Sequence, residues 1–195
     1  MAFINLLDLW LVLLGSSLLL TIFWIYINFI NPGKYGDRIY EINRGLGYFY
    51  LLFGIYSFLT GLWASFTWPL PGPYNIVLSD AWPIYGVALM LLGFSNIYNL
   101  DIRGVLYGIS ALGLPVIFYG LAIWTYSLTR NPLFSGLMYI SIGVAAVLSP
   151  LLAFESSRKY AAYLFMLLLF IGGILAIYIG YNAVFGHIAS FLEQG

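Results

Sequence analysis

LFMLLLFIGGILAIYIG, residues 164–180, carries no charge, and its one polar group is the hydroxyl of Tyr178. A helix of about 20 such residues crosses the roughly 30 Å of bilayer hydrocarbon, with every backbone N–H and C=O satisfied inside the segment. A membrane β-strand would instead be about 10 residues long, alternating apolar and polar side chains. This run does not alternate, so it reads as a transmembrane helix and excludes a barrel. The same reading extends outward to six stretches, at 6–30, 45–67, 82–100, 103–127, 133–154 and 160–184. Charged side chains fall almost entirely at their ends or in the connections, as expected where a charge at mid-depth is costly. The fold class is therefore all-α: a polytopic membrane bundle of six transmembrane helices.

Composition agrees with this class. Of 195 residues, 63% are hydrophobic and 7% charged, against about 25% charged in a soluble globular domain. The chain reads as a single transmembrane domain over 1–195, resident in the cell membrane as a multi-pass protein. Its first five residues lack the basic start of a cleavable signal, so 6–30 reads as a retained span. Seven basic residues balance seven acidic ones, with no basic run for nucleic acid. Without cysteine, thiolate metal centres and disulfides are excluded. His187 is the only histidine, and an imidazole metal site needs two or three converging ligands. The expectation is a non-enzymatic protein with no cofactor, no metal and no catalytic residue.

Orientation follows from Lys and Arg. Lys34, Arg38 and Arg44 lie in the first connection, Arg103 in the third, Arg158 and Lys159 in the fifth; only Arg130 lies in the fourth. Basic residues concentrate on the cytoplasmic side, so both termini are expected on the outer side.

Glycines mark the expected packing. Gly47, Gly54 and Gly61 recur every seven residues in the second span, and Gly104 with Gly108 forms a GxxxG pair in the fourth. Small residues on one stripe let helix backbones approach in lipid.

The second connection, WPLPGPYNIVLSD (68–80), is the stiffest segment. Its three prolines fix φ, and Trp68 and Tyr74 suit the headgroup level. An ordered outer loop over 68–81 is expected, with Ser79 or Asp80 capping the third span. Alternatively the loop is a lid, with Trp68, Tyr74, Asn75 and Asp80 meeting a ligand or partner. On the cytoplasmic rim, Asn96, Asn99 and Arg103 cluster where the third span turns into the fourth, and Tyr40, Asn43 and Arg44 precede the second. These read as a hydrogen-bonded corner or a contact for a headgroup or partner.

WPLPGPYNIVLSD, PIYGVALMLLG (83–93) and NPLFSGLMYISIGVAAVLSPLL (131–152) together resemble an uncharacterised family of archaeal and bacterial six-span membrane proteins, a domain of unknown function. The likeness covers the chain from about Leu51 onward, and implies an architecture but no activity. NPLFSGLM is also similar to the NPxxxGL signature of six-span acetate-uptake channels, where that motif opens the first span rather than the fifth.

With no ionised group expected at mid-depth, ion-coupled pumping is disfavoured. The leading expectation is an accessory or scaffold subunit of a larger membrane complex, with a respiratory complex as one such context, and with membrane lipids and other membrane subunits (or further copies of itself) as partners. The alternatives are a channel or carrier for a small neutral or weakly acidic solute, and a bundle that binds lipid or quinone.

Overall fold

The computed structural model describes residues 6–193, and every regular element among them is helical. Helix α1 (Leu6–Ile25) runs into a π-helical turn, Tyr26–Ile30. A 3₁₀ turn at Gly36–Arg38 leads into α2 (Ile39–Thr67), followed by the short α3 (Pro73–Ser79) and α4 (Ala81–Tyr98). Then come α5 (Ile102–Thr125), α6 (Pro132–Leu148) with a 3₁₀ extension over Ser149–Ala153, and α7 (Arg158–Leu192). Taken with their flanking turns, and with α3 and α4 as one, six of these are long and apolar enough to cross a membrane.

The helices pack as three antiparallel pairs, each closed by facing glycines. Between α2 and α4, a Cβ built on Gly47 would lie 3.0 Å from the Gly93 carbonyl oxygen, and one on Gly54 2.8 Å from that of Gly86. Gly61 meets Pro83 in the same seam. Between α5 and α6, a Cβ built on Gly113 would lie 2.7 Å from the Gly143 carbonyl oxygen, and one on Gly120 3.1 Å from that of Gly136. Between α1 and α7, a Cβ on Gly15 would lie 2.6 Å from the Gly173 carbonyl oxygen. Two lipid-compatible helices gain nothing from expelling water, so close backbone contact and dispersion must hold them.

The GxxxG pair departs from its expected role. A Cβ on Gly104 would meet nothing within 4 Å, and one on Gly108 only Leu91 Cδ1 at 3.4 Å. Helix α5 packs through Gly113 and Gly120 instead, with the face of Gly104 turned outward.

Side-chain bonds join the pairs. Trp10 on α1 stacks on Trp82 of α4 with ring centroids 5.3 Å apart, and Ser17 Oγ lies 2.7 Å from the Tyr85 hydroxyl. Within the α5–α6 pair, Ser110 donates to the Val147 carbonyl at 2.9 Å, and Ser149 to that of Leu106 at 2.8 Å. The buried aliphatic core of Leu18, Leu89, Leu92, Leu106 and Leu169 fills the space between pairs.

Helix limits differ from the expected spans at two places. Helix α2 begins six residues before 45, wound onto the preceding 3₁₀ turn, and α7 continues eight residues past 184. Glu41, Asn43 and Arg44 do not break α2, because a helix satisfies its backbone bonds internally. Six crossings place both ends of the described chain on one face, which the contact between Asp8 of α1 and His187 of α7 shows directly.

Candidate functional site

The rim opposite those ends carries a cluster of polar side chains. Four segments meet there: the π-helical turn after α1, the start of α2, the end of α4 and the start of α5. They enclose a cleft of about 320 Å³, at the lower end of the roughly 300–1,000 Å³ typical of small-molecule sites. Asn28 and Asn43 face each other as a reciprocal amide pair, at 3.0 and 2.7 Å. Asn28 also donates to the Trp24 carbonyl at 2.8 Å, one turn back on its own helix.

Trp24 Nε1 donates to Asn96 Oδ1 at 2.9 Å. An indole nitrogen can only donate, which fixes the orientation of the amide. Asn96 Nδ2 is thereby turned the other way, buried and without an acceptor among the described residues. Arg44 lines the same cleft, exposed and in no ion pair among the described residues. Asn99 ends α4 in the left-handed region at φ 50°, a conformation asparagine adopts more readily than most residues. That turn also separates Asn99 from Arg103. Arg103 instead grips Asp101, whose carboxylate caps α5 by accepting from the Arg103 backbone N–H at 3.0 Å. Arg103 and Asp101 belong to a second, adjoining cleft, shared with Glu155 and Arg158.

At the other rim the 68–81 segment is folded rather than merely stiff. Trp68 ends α2 at φ 52°, an unusual conformation for a bulky residue, and Gly72 precedes α3 at φ 54°. Asn75 is fully buried: Leu70 N–H donates to its Oδ1, as does Ser79 Oγ, and its Nδ2 donates to the Ala64 carbonyl, each at 3.2 Å. It latches α3 onto the end of α2. Trp68 and Tyr74 are exposed. The expected helix cap is not formed: Asp80 is already in helical geometry and caps nothing with its side chain. Helices α3 and α4 run on from one another, so no free N-terminus exists there to cap. Asp80 instead accepts from Ser65 Oγ at 2.7 Å, and Ser79 serves Asn75.

Beneath α3 lies a cavity of about 90 Å³, lined by apolar side chains including Leu14, Leu78 and Ile142, and by Trp10. The indole N–H of Trp10 is buried without an acceptor among the described residues, while Tyr139 donates from its hydroxyl to the Val77 carbonyl at 2.9 Å. At the same end His187 Nδ1 lies 2.7 Å from Asp8 Oδ2.

No group of three or more His, Cys, Asp or Glu side chains placed to hold a metal occurs among the described residues. Two features escaped sequence reasoning: Asn28 and Trp24, which sit inside an apolar span and gain meaning only from Asn43 and Asn96. The seven-residue steps from Ser17 to Trp24 and from Thr21 to Asn28 were the available signal. A family model described as "Protein of unknown function (DUF981)" matches residues 1–190. No curated protein and no solved structure matches the chain.

Proposed function

The chain belongs to the DUF981 family, and we propose that it is a non-enzymatic protein of the cell membrane, an accessory or scaffold subunit docked along α7 to another membrane subunit. Both termini are then on the outer side, and the cleft rim faces the cytoplasm. The length and surface of α7 carry this reading. Its 35 residues, at about 1.5 Å each, extend about 52 Å, or about 49 Å along the normal at an average tilt of about 20°. A bilayer with headgroups is only about 40–45 Å thick. Yet Tyr181, Phe185, Ile188 and Leu192 are exposed along one stripe to the very end of the helix. Inside hydrocarbon such a stripe is satisfied by lipid. Beyond it, an apolar partner accounts for it better than water does.

A channel or carrier finds less support. The polar pairs Ser17–Tyr85 and Trp24–Asn96 sit at separate depths, with buried Leu89 and Leu92 between them along α4.

Extraction in mild detergent followed by native mass measurement tests the docking. A stable complex with a second membrane subunit is expected, lost in the Phe185→Lys/Ile188→Lys double variant while the bundle stays folded. A wild-type chain that runs alone, or only with copies of itself, would overturn the scaffold reading.

A further inference from the structure

The rim cleft holds hydrogen-bond donors that the protein leaves unanswered. Asn96 Nδ2 is buried with its amide orientation locked by Trp24, and Arg44 offers a guanidinium with no carboxylate among the residues lining the cleft. A buried donor without an acceptor costs on the order of 1–3 kcal/mol, so a ligand supplying acceptor oxygen there is favoured. Phe29, Ile97, Leu100 and Ile102 supply an apolar part of the wall, beside the polar Tyr40, Ser95 and Asn99. The cleft therefore sets a guanidinium beside apolar side chains, at the ends of helices long and apolar enough to cross a membrane.

We infer that this cleft binds the phosphate group of a membrane lipid, with Arg44 and Asn96 Nδ2 on the phosphate oxygens and the apolar wall against the first part of the chains. A guanidinium and an amide N–H₂ are both donors, and phosphate oxygens are acceptors, so the set is complementary without further protons moving. Glu41, three residues before Arg44 on α2, forms no ion pair with it among the described residues and does not line the cleft, and two further carboxylates do not compete. Asp101 is engaged by Arg103, and Glu155 lies with them in the adjoining cleft. Asn28 and Asn43 hold each other and so shape the wall rather than bind. This site is independent of any docking along α7.

The test uses the full chain in detergent with three probes: dihexanoyl phosphatidic acid, inorganic phosphate and dihexanoylglycerol. Saturable binding of the phosphatidic acid is expected, read by native mass or calorimetry. Arg44→Gln and Asn96→Asp should each weaken it about tenfold or more, the loss of one charge-assisted or buried hydrogen bond. Asn96→Asp keeps the acceptor for Trp24 but replaces the donor with a second negative oxygen, and Arg44→Lys should recover part of the affinity. Unchanged thermal unfolding of the Arg44 variants separates lost binding from lost fold. Equal binding of dihexanoylglycerol would show the phosphate is not recognised, and equal binding of inorganic phosphate would show no lipid is needed. Either result, or variants that bind like wild type, overturns the inference.

Discussion

Gly54 and Gly86 press their backbones together: a Cβ on Gly54 would lie 2.8 Å from the Gly86 carbonyl oxygen, and one on Gly86 2.7 Å from that of Gly54. Real Cβ atoms do not come within 3.0 Å of such neighbours. Any larger side chain must push α2 and α4 apart along their whole seam. Gly54→Leu should therefore lower stability by about 1–3 kcal/mol, the usual cost of overpacking a tight interior. Gly104→Ala, where nothing lies within 4 Å, should be neutral or stabilising by about 0.5–1 kcal/mol, since alanine favours helix over glycine. Unfolding titrations in mixed micelles measure both. Equal behaviour of the two variants would contradict the seam.

Asn75 makes a second test, at the rim that carries α3. Its amide answers Leu70 N–H, Ser79 Oγ and the Ala64 carbonyl at once, from a fully buried position. Asn75→Leu leaves these groups to find other partners, at about 1–3 kcal/mol for each that stays unsatisfied. The prediction is early proteolytic cleavage within 68–72 and a lower unfolding midpoint. Asp80→Asn should do far less, because its remaining oxygen can still accept from Ser65. If the Asp80 variant proved the more fragile, α3 would be held by something other than Asn75.

These two sites also show what sequence could and could not reveal. Six helices were legible because each long apolar run, such as 164–180, satisfies its own backbone and admits no alternative in lipid. The seam through Gly47, Gly54 and Gly61 was legible because a seven-residue step keeps one face toward a neighbour over two turns. Gly104 and Gly108 mimic that signal at a four-residue step, but which face a helix buries depends on its neighbours, and α5 turns the face of Gly113 inward. Asn75 and Asp80 looked alike as polar residues beside a span. Their roles diverged because α3 formed, making Asn75 a latch and removing the terminus that Asp80 would have capped. The rim cleft needed four separate segments to meet, so only its parts were visible: Tyr40, Asn43 and Arg44 in one cluster, Asn96 and Asn99 in another.

Asp8 and His187 stand 179 positions apart and meet at 2.7 Å, joining the start of α1 to α7. Asp8 is largely buried and His187 only partly so, with 13% and 34% of their side chains exposed. That places the interaction between a surface pair and a buried one. A double-mutant cycle of Asp8→Asn and His187→Gln should return a coupling of about 0.5–1.5 kcal/mol. Additive effects would mean that the glycine seam alone aligns the two helices.

The turn between α4 and α5 gives a prediction in pH. The Arg103 guanidinium, and after it the Arg103 backbone N–H, hold the Asp101 carboxyl down at about 2 from its ordinary 3.8. The folded value lies below the unfolded one, so the capped turn gains stability that is fully present above pH 3.8 and lost as pH falls through about 2. The pair is exposed, which keeps the gain small and sensitive to salt. Carboxyl NMR of Asp101 should show a midpoint near the lowered value in the wild type. Arg103→Gln should bring it most of the way back, leaving only the pull of the backbone N–H. A variant that titrates like wild type would transfer the effect from the side chain of Arg103 to the start of α5 itself.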